Sequence, residues 1–515
     1  MIVILLVFAV VAFYLYATRN YDYWNKRNVK HDPPVPPFGT HFRNAFAFKS
    51  ITDISQELYN KYPNEKVVGY YRWSTPELII KDPDVVRRIM STDFNHFYFR
   101  GMARNPKVDR VLLNPFHADG DNWRLLRQRL TPAFTTAKLK NMFPLIVKCA
   151  EKLHSLGDDI VSRGGDCDIR EMMARFTTEF IGACGFGVEM DTINNEKSLF
   201  REFGKLIFSR TAFDITRFAV WEAVPLVRGF LPVINPKIEE IATEIVKNVR
   251  EQRNGKPSGR NDFIDLLLEL ESKGKFTAES IEKTNPDGSP VIVDMEMTMA
   301  CMAAQVFIFF AAGFETSSSA TSFTLHELAF NPEIQERIQE EIDEVLSEYN
   351  NKLCYEAVAK LSLLDMAFKE AMRMFPSLGI VTRECTRPCT IPELGISIDP
   401  GVKIVIPIQA IQNDEKYFDN PTEFRPERFT PEEVKNRQPF TYMPFGDGPR
   451  MCIGARLGQM QSLAGLAAVL QRFTVEPNKD TRRKPQVNPR SNVVQGLVGG
   501  LPLKLTLRKN KTASK

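Results

Sequence analysis

The stretch Pro444–Gly454 reads PFGDGPRMCIG and decides how the rest of the chain is interpreted. Its three glycines and two prolines exclude regular helix or strand, and glycine lets a backbone approach a flat ligand closely. After Gly454, apolar residues recur at helical spacing from Leu457 to Leu470, which predicts a helix. Cys452 therefore lies just before a predicted helix N-terminus.

A cysteine in this position has a defined chemistry. Backbone N–H groups and the helix dipole favour an anion, so we expect a lowered pKa for the Cys452 thiol and a thiolate at the site. A nucleophilic thiolate needs a histidine base, and the six histidines show no paired pattern. A zinc site needs clustered Cys or His ligands, which are absent from this stretch. A single thiolate in a glycine-rich loop suits haem, whose porphyrin supplies the other iron ligands.

The same stretch resembles the haem-binding signature of the cytochrome P-450 family of haem-thiolate monooxygenases, because Phe445, Gly448, Arg450, Cys452 and Gly454 match its pattern. The resemblance implies haem b as cofactor and Cys452 as the axial iron ligand. It implies that Phe445, Arg450 and Gly454 contact the cofactor. The implied fold is mainly α with smaller β-sheets, in a single large catalytic domain behind an N-terminal transmembrane helix.

Glu370 and Arg373 are spaced one helical turn apart in an apolar setting. Such a pair is usually a solvated surface pair of little energetic value, but burial is plausible here. With Arg428 the two residues resemble the structural triad of the family. The implied role of the three residues is to lock the core around the haem.

Trp123 and Arg127 share one helix face and resemble a family pattern that binds a haem propionate. Trp123 alone would be read as a core residue. The resemblance implies that Arg127 and Arg450 neutralise the propionates through charge-assisted hydrogen bonds, and that Arg383 does likewise.

Gly313, Glu315 and Thr316 stand late in the strongly apolar run 300–314 and its continuation. One interpretation is an ordinary helix end whose hydroxyl groups bond back to the helix. The family resemblance implies instead a catalytic group above the haem, in which Gly313 leaves room for oxygen and Glu315 and Thr316 relay protons through water. The run is too short for a second membrane span and predicts a buried central helix.

The N-terminus predicts a membrane anchor. Residues 1–18 are apolar, with no basic segment before the run and no cleavage site after it, so a retained transmembrane helix is favoured over a signal peptide. Tyr21, Tyr23 and Trp24 are interpreted as part of an interfacial aromatic belt, and the following basic residues favour a cytosolic body. Residues 19–40 are a basic, proline-rich linker and 41–510 the haem-thiolate catalytic domain. The expected location is the endoplasmic reticulum membrane, with the catalytic domain facing the cytosol.

Composition adds few constraints. The 515 residues carry a net charge of +4, too slight to indicate nucleic acid, and no nucleic-acid partner is expected. Eight cysteines without a CxxC motif predict reduced thiols rather than a disulfide framework. Periodicity predicts strands within 66–81, 390–398 and 403–408, helices at 137–162, 238–254 and 331–349, and a loop at 283–294.

Three functions are compatible with these residues. The first is a monooxygenase that inserts one oxygen atom of O2 into lipophilic molecules. No flavin or nicotinamide fingerprint is present, so a separate NADPH–cytochrome P-450 reductase is implied, with cytochrome b5 as a candidate second partner. The second is a thiolate-haem enzyme that rearranges peroxides without external electrons. The third is a membrane-tethered haem sensor. A basic group is nominated for reductase docking: Arg124, Arg127, Arg129, Lys138 and Lys140.

Segment 119–135 looks most like the insect xenobiotic-metabolising group, which implies substrates such as plant toxins or insecticides. One departure from the family is Ser377, which stands where many relatives carry a second proline after Pro376. The family resemblance places the substrate pocket in five segments: Phe97–Phe116, Phe208–Phe213, Phe307–Thr316, Ser377–Thr382 and Val494–Leu501.

Overall fold

A computed structural model describes residues 1–102, 105–188, 190, 192–193, 198–209, 211–260, 262–491 and 493–508. Three predictions reach beyond these residues. Ala103 and Arg104 in the first predicted pocket segment, Arg210 in the second, and the domain end at position 510 lie outside the described part of the chain.

Helices dominate the described chain, as predicted, and one large body follows a short apolar N-terminal helix. The helices are α1 (Ile2–Thr18), α2 (Phe42–Ala45), α3 (Ile51–Lys61), α4 (Pro83–Arg87), α5 (Gly120–Leu130), α6 (Thr136–Ser162), α7 (Ile169–Ile181), α8 (Leu199–Phe208), α9 (Ala212–Ala223), α10 (Pro236–Gln252), α11 (Phe263–Ser272), α12 (Met299–Phe330), α13 (Pro332–Ser347), α14 (Tyr355–Lys360), α15 (Ser362–Met374), α16 (Ile408–Gln412), α17 (Pro431–Asn436) and α18 (Ala455–Arg472).

The strands form small sheets. They are β1 (Val67–Arg72), β2 (Thr75–Ile80), β3 (Asp166–Asp168), β4 (Lys275–Thr284), β5 (Pro290–Glu296), β6 (Val381–Glu384), β7 (Cys389–Ile391), β8 (Ile396–Ile398), β9 (Lys403–Ile406), β10 (Phe473–Glu476) and β11 (Pro502–Leu507). The largest sheet has four strands in the order β1-β2-β9-β6, and a three-stranded sheet runs β10-β11-β3. The pairs β4-β5 and β7-β8 complete the set.

Helix α12 is the centre of the molecule. Thr298 caps it by accepting a hydrogen bond from the Cys301 N–H, and its 32 residues span about 48 Å at 1.5 Å per residue. It packs against α7, α10, α15 and α18. In the described chain it is the one helix long and apolar enough to cross a membrane, but more than half of it is buried by protein. The prediction of a buried central helix is confirmed.

Two local predictions are wrong. The predicted loop 283–294 belongs to a hairpin, because β4 and β5 pair with each other across a turn at 285–289, and Asp121 on α5 anchors the hairpin through Ser280 and the Ile281 N–H. Trp24 is not in an interfacial belt. It is fully buried, and its indole N–H donates to the Tyr70 carbonyl at 3.2 Å. A short segment after α1 thus packs onto the four-stranded sheet.

Candidate active site

The loop that carries Cys452 has the irregular structure predicted from its glycines. The Cys452 N–H donates to the Phe445 carbonyl at 2.9 Å, and helix α18 begins at Ala455. Gly448 has φ of +69°, and a Cβ there would lie 1.9 Å from the Met90 carbonyl oxygen. A side chain at 448 is therefore excluded by close approach of another backbone.

Cys452 lines an internal cavity, here named the cysteine cavity. Its side chain is exposed to the space of this cavity, which lies inside the protein. Phe445, Gly454, Gly313 and Thr316 line the same cavity. The expected lowering of the thiol pKa is not found, since burial raises the pKa of Cys452 more than the Gly454 backbone group, Arg127 and Arg100 lower it. The helix end alone does not supply the thiolate, and a bound metal cation would have to stabilise it.

Four arginines surround the cysteine cavity and are here named the cavity arginines: Arg100, Arg127, Arg383 and Arg450. Among the described residues, these four share a single ion pair, from Arg450 to Asp119 at 2.8 Å. Asp119 precedes α5 and also accepts from the Arg100 backbone N–H at 2.7 Å. Positive charge therefore exceeds negative charge at this edge of the cavity.

The individual arginines differ in how their donors are used. Arg450 donates to the carbonyls of Tyr98 (2.7 Å) and Ala118 (3.1 Å), and its guanidinium lies 4.4 Å from the centre of the Trp123 ring. Arg127 donates to the Met451 carbonyl at 2.7 Å. Among the residues that the structure describes, the buried Nε groups of Arg100 and Arg383 have no acceptor. Trp123 thus supports Arg450 and is not among the residues that line the cavity.

Burial with little negative charge nearby lowers the pKa of two of these arginines. It lowers the pKa of Arg383 to about 9, with the neighbouring Arg100 adding to the effect, and that of Arg100 to about 10. A dianionic ligand would supply the missing acceptors and charge. Haem carries two propionates, and a Cβ at Gly446 or Gly454 would have its nearest contact at 3.9 or 3.7 Å, so neither position is tightly packed. The residues present therefore fit haem. Arg100 was predicted only as part of the pocket segment Phe97–Phe116 and Asp119 was not predicted as a site residue, because neither type nor spacing marks them as charge partners in the sequence.

Helix α12 brings Gly313 and Thr316 to the cavity but directs Glu315 elsewhere. The Thr316 hydroxyl donates back to the Ala312 carbonyl at 2.5 Å. A Cβ at 313 would lie 2.2 Å from Ile181 Cδ1, so a side chain there would require the Ile181 side chain on α7 to move. The Glu315 carboxylate accepts from Arg170 at 2.5 Å and does not line the cavity.

A ring of hydrogen bonds holds this part of α12. Arg170 also donates to the Gln495 carbonyl at 3.1 Å, and the Gln495 N–H donates to the Ser377 carbonyl at 3.1 Å. The Ser377 hydroxyl in turn donates to the Thr316 carbonyl at 3.0 Å. A second proline at 377 could not make this bond. Ser377 was noted in the sequence as a departure, and the structure gives it a partner on the helix.

The predicted triad is assembled as predicted. Arg373 makes two hydrogen bonds to Glu370, at 2.8 and 2.9 Å, and Arg428 makes one at 3.2 Å, with all three side chains buried. Arg373 also donates to the Gln412 carbonyl at 2.9 Å, and the Gln412 side chain accepts from the Met443 N–H at 2.8 Å. Gln412, which the sequence did not mark, thus connects the triad to the start of the cysteine loop.

A second cavity adjoins the first. The residues common to the linings of both cavities are Arg100, Phe116, Ile308, Ala312, Thr316, Leu378 and Val381. All five predicted pocket segments contribute described residues in addition, such as Gly101, Phe208, Phe307, Thr382 and Val494. Phe213 does not line it and is 71% exposed.

Comparison with known proteins identifies the family of the chain. The family model described as cytochrome P450 matches residues 31–498. Cytochrome P450 6B2 of Helicoverpa armigera is 37% identical over 506 residues, which cover 97% of each chain. Cytochrome P450 6a2 of Drosophila melanogaster is 37% identical over 96% of each chain, and cytochrome P450 6B1 of Papilio polyxenes is 35% identical over 90% of this chain and 91% of its own.

A family match across most of the chain, full-length insect relatives and a fold of helices with small sheets agree with one another. Haem b is the cofactor of this family, and a redox partner and lipophilic substrates follow from its chemistry. The chain belongs to the cytochrome P450 family and is a monooxygenase of the oxidoreductase class.

Proposed function

We propose that this enzyme is a membrane-anchored monooxygenase that inserts one atom of O2 into lipophilic xenobiotics such as plant toxins or insecticides. One observation supports it above the others. The sulfur of Cys452 and the four cavity arginines, which share one ion pair with described residues, line the same cavity. The insect relatives over nearly the full length favour the xenobiotic role.

In this proposal Cys452 holds the iron, and Phe445 and Gly454 border the porphyrin. Arg100 and Arg383 have buried Nε donors that no described residue accepts, which are available for the propionates, and Arg127 adds positive charge. Trp123 and Asp119 position Arg450 beside them. Bound haem supplies oxygen activation, with the thiolate donating electron density.

Thr316 is the proposed proton donor at the cavity wall, since reduction of one oxygen atom to water consumes protons. Its hydroxyl must leave the Ala312 carbonyl to donate into the cavity. Glu315 can serve as the relay acid only when its ion pair with Arg170 opens, because that pair directs the carboxylate away from the cavity. Because Gly313 has no side chain, the Ile181 side chain of α7 packs closely against α12 at this point.

Electrons are proposed to come from NADPH–cytochrome P450 reductase, with cytochrome b5 as a second donor. Part of the nominated docking group is already engaged. Arg124 pairs with Glu279 at 3.6 Å, Arg129 donates to the Thr277 carbonyl at 2.9 Å, and Lys140 pairs with Glu356. The β4–β5 hairpin therefore covers part of the basic surface that we expected to be free.

The proposed domain division is 1–18 anchor, 19–40 linker and 41–510 catalytic domain, on the endoplasmic reticulum membrane and facing the cytosol. Helix α1 is almost wholly exposed and carries no charge over Ile2–Thr18. It is about 26 Å long, slightly under the bilayer core. Phe48, Leu226 and Phe230 are further exposed apolar side chains on the body, which favours contact with a membrane surface.

The proposal is tested with full-length protein in phospholipid vesicles. Turnover of the lipophilic ether 7-ethoxycoumarin is measured with reductase and NADPH, with peroxide alone, and with neither. We expect product only when electrons are supplied, or with peroxide at a lower rate. Rearrangement of a peroxide substrate without electrons, and no oxygen insertion with them, would favour the second function. Haem binding without turnover under all conditions would favour a sensor.

A further inference from the structure

The β4–β5 hairpin and the first turn of α5 hold each other through two carboxylates. The Asp121 side chain on α5 accepts from the Ser280 hydroxyl at 2.9 and 2.8 Å and from the Ile281 N–H at 2.7 Å. In the other direction, the Glu282 carboxylate on β4 accepts from the Asp121 N–H at 3.1 Å. The hairpin therefore supplies a hydrogen-bond acceptor to the N-terminus of α5.

Gly120, the first residue of α5, allows this approach. Its φ is +56°, which disfavours any other residue, and a Cβ there would lie 2.3 Å from the Glu282 carboxylate and displace it. The first N–H groups of a helix have no partner within the helix and favour a negative charge nearby. Glu282 brings both the acceptor and the charge from a segment distant in the chain.

Asp119 stands directly before α5, in the position where an aspartate ordinarily caps a helix. Within α5, all of which the structure describes, the Asp119 side chain accepts from no backbone N–H. Its Oδ1 accepts instead from the Arg450 guanidinium at 2.8 Å and from the Arg100 N–H at 2.7 Å. Glu282 thus provides the cap that Asp119 would otherwise provide, and the Asp119 carboxylate stays on Arg450.

The two tasks compete for one carboxylate. Without Glu282, the N–H groups of the first turn would attract the Asp119 side chain, which is adjacent to them in the chain. Arg450 would then lose its one ion pair among the described residues. Burial and the neighbouring Arg100 and Arg383 already lower the pKa of Arg450, and Asp119 opposes that shift. The orientation of Arg450 therefore depends on where the Asp119 carboxylate is held.

We propose that Glu282 is a positioning residue for haem binding, which acts through Asp119 on Arg450. It caps α5 from the hairpin and thereby keeps Arg450 oriented at the edge of the cysteine cavity. Glu282 itself lines neither of the two cavities. This inference rests on the proposed place of Arg450 beside the haem propionates, and it assigns part of haem retention to a hairpin outside the site.

The test measures the rate at which full-length holoenzyme loses haem to apomyoglobin. Glu282→Ala should release haem about fivefold faster, the factor that corresponds to loss of one helix cap. Glu282→Gln should release it more slowly than Glu282→Ala, because the amide oxygen can still accept from the Asp121 N–H. Glu279→Ala is the matched control and should behave as wild type. Glu279 lies on the same strand and removes the same charge, but it pairs with Arg124 at 3.6 Å.

A double-mutant cycle separates this role from general support of the fold. Asp119→Asn removes the carboxylate through which Glu282 acts, so Glu282→Ala should cause no further acceleration in that background. Independent effects of the two substitutions would overturn the proposal. A wild-type rate in Glu282→Ala, an equal rate in Glu282→Gln, or the same acceleration in Glu279→Ala would overturn it as well. Failure of the proposed function is seen separately, as wild-type haem without thiolate ligation in the ferrous–carbon monoxide spectrum.

Discussion

Two groups of arginines in this enzyme differ in how completely their charges and donors are paired. In the triad, Arg373 and Arg428 both bond Glu370, and the remaining donors of Arg373 reach backbone carbonyls. Around the cysteine cavity, the four cavity arginines share one ion pair, with Asp119, and two Nε groups have no acceptor in the part of the chain that the structure describes. Complete pairing is typical of a structural element, whereas unmatched buried positive charge indicates a site that would bind an anionic ligand.

The largest effect is expected from Cys452→Ser, which removes the sulfur that we propose as the iron ligand. The variant should lose turnover entirely and lose the ferrous–carbon monoxide absorption typical of thiolate ligation. Spectra of the reduced protein with carbon monoxide check this. Cys354→Ser is a suitable control, because Cys354 is a free cysteine distant from the cavity lining. An unchanged spectrum in Cys452→Ser would assign the iron to another ligand.

Arg373→Met tests the paired side of the comparison. Breaking a buried ion pair leaves Glu370 without its main partner and should lower the free energy of unfolding by about 3–5 kcal/mol. Urea unfolding of the protein, followed by circular dichroism, measures the change. A loss under about 1 kcal/mol, as for exposed pairs, would show that the triad does not stabilise the core.

Arg383→Met tests the unpaired arginines. The expected change in the stability of the protein without haem has the opposite sign to the change expected for Arg373→Met. Removing a buried cation that forms no ion pair with a described residue should leave the free energy of unfolding of the apoprotein unchanged or raise it. Haem should dissociate from the holoprotein about tenfold faster or more, since a charge-assisted bond is lost. Haem transfer to apomyoglobin gives the rate. Destabilised apoprotein with normal haem retention would place Arg383 with the structural arginines instead.

Thr316→Ala extends the comparison to the helix above the cavity and should have a smaller effect. Haem binding is expected to remain, while electrons from NADPH are diverted to hydrogen peroxide, because the cavity loses its hydroxyl. Product and peroxide formed per NADPH are measured together. Thr324→Ala is the matched control, since Thr324 makes the same back-bond, to the Ala320 carbonyl at 2.8 Å, inside the core. Unchanged coupling in Thr316→Ala would remove Thr316 from the relay.

Ser377→Ala should have the smallest effect. It removes one hydrogen bond to the Thr316 carbonyl, worth about 1 kcal/mol, and leaves the hydroxyl of Thr316 in place. A modest rise in peroxide per NADPH is expected, below that of Thr316→Ala, with haem content unchanged. Coupling equal to wild type would mean that the hydrogen-bonded ring on α12 has no part in positioning Thr316.

The sequence was most informative where local chemistry is strict. The glycine and proline pattern around Cys452 predicted an irregular loop before a helix, and that is the structure. The i, i+3 spacing of Glu370 and Arg373 predicted their contact, and α15 provides it. These features depend on backbone geometry over a few residues, which spacing encodes directly.

Predictions that depended on the surroundings were less successful. Glu315 was expected to face the reaction, but Arg170 on another helix binds it. The pKa of Cys452 was expected to fall, but burial reverses the shift. The residues 283–294 were expected to be a loop, but they pair within a hairpin held by Asp121.

The sequence alone therefore determined the family, the irregular loop at Cys452 and the composition of the triad, because each depends on a short run of residues or on a fixed spacing. Only the tertiary structure decided which charges are left unmatched. Arg100 and Asp119 acquire their roles only from residues that are distant in the chain, such as Arg450. Burial and pairing are properties of distant segments packed together, and no local pattern carries them.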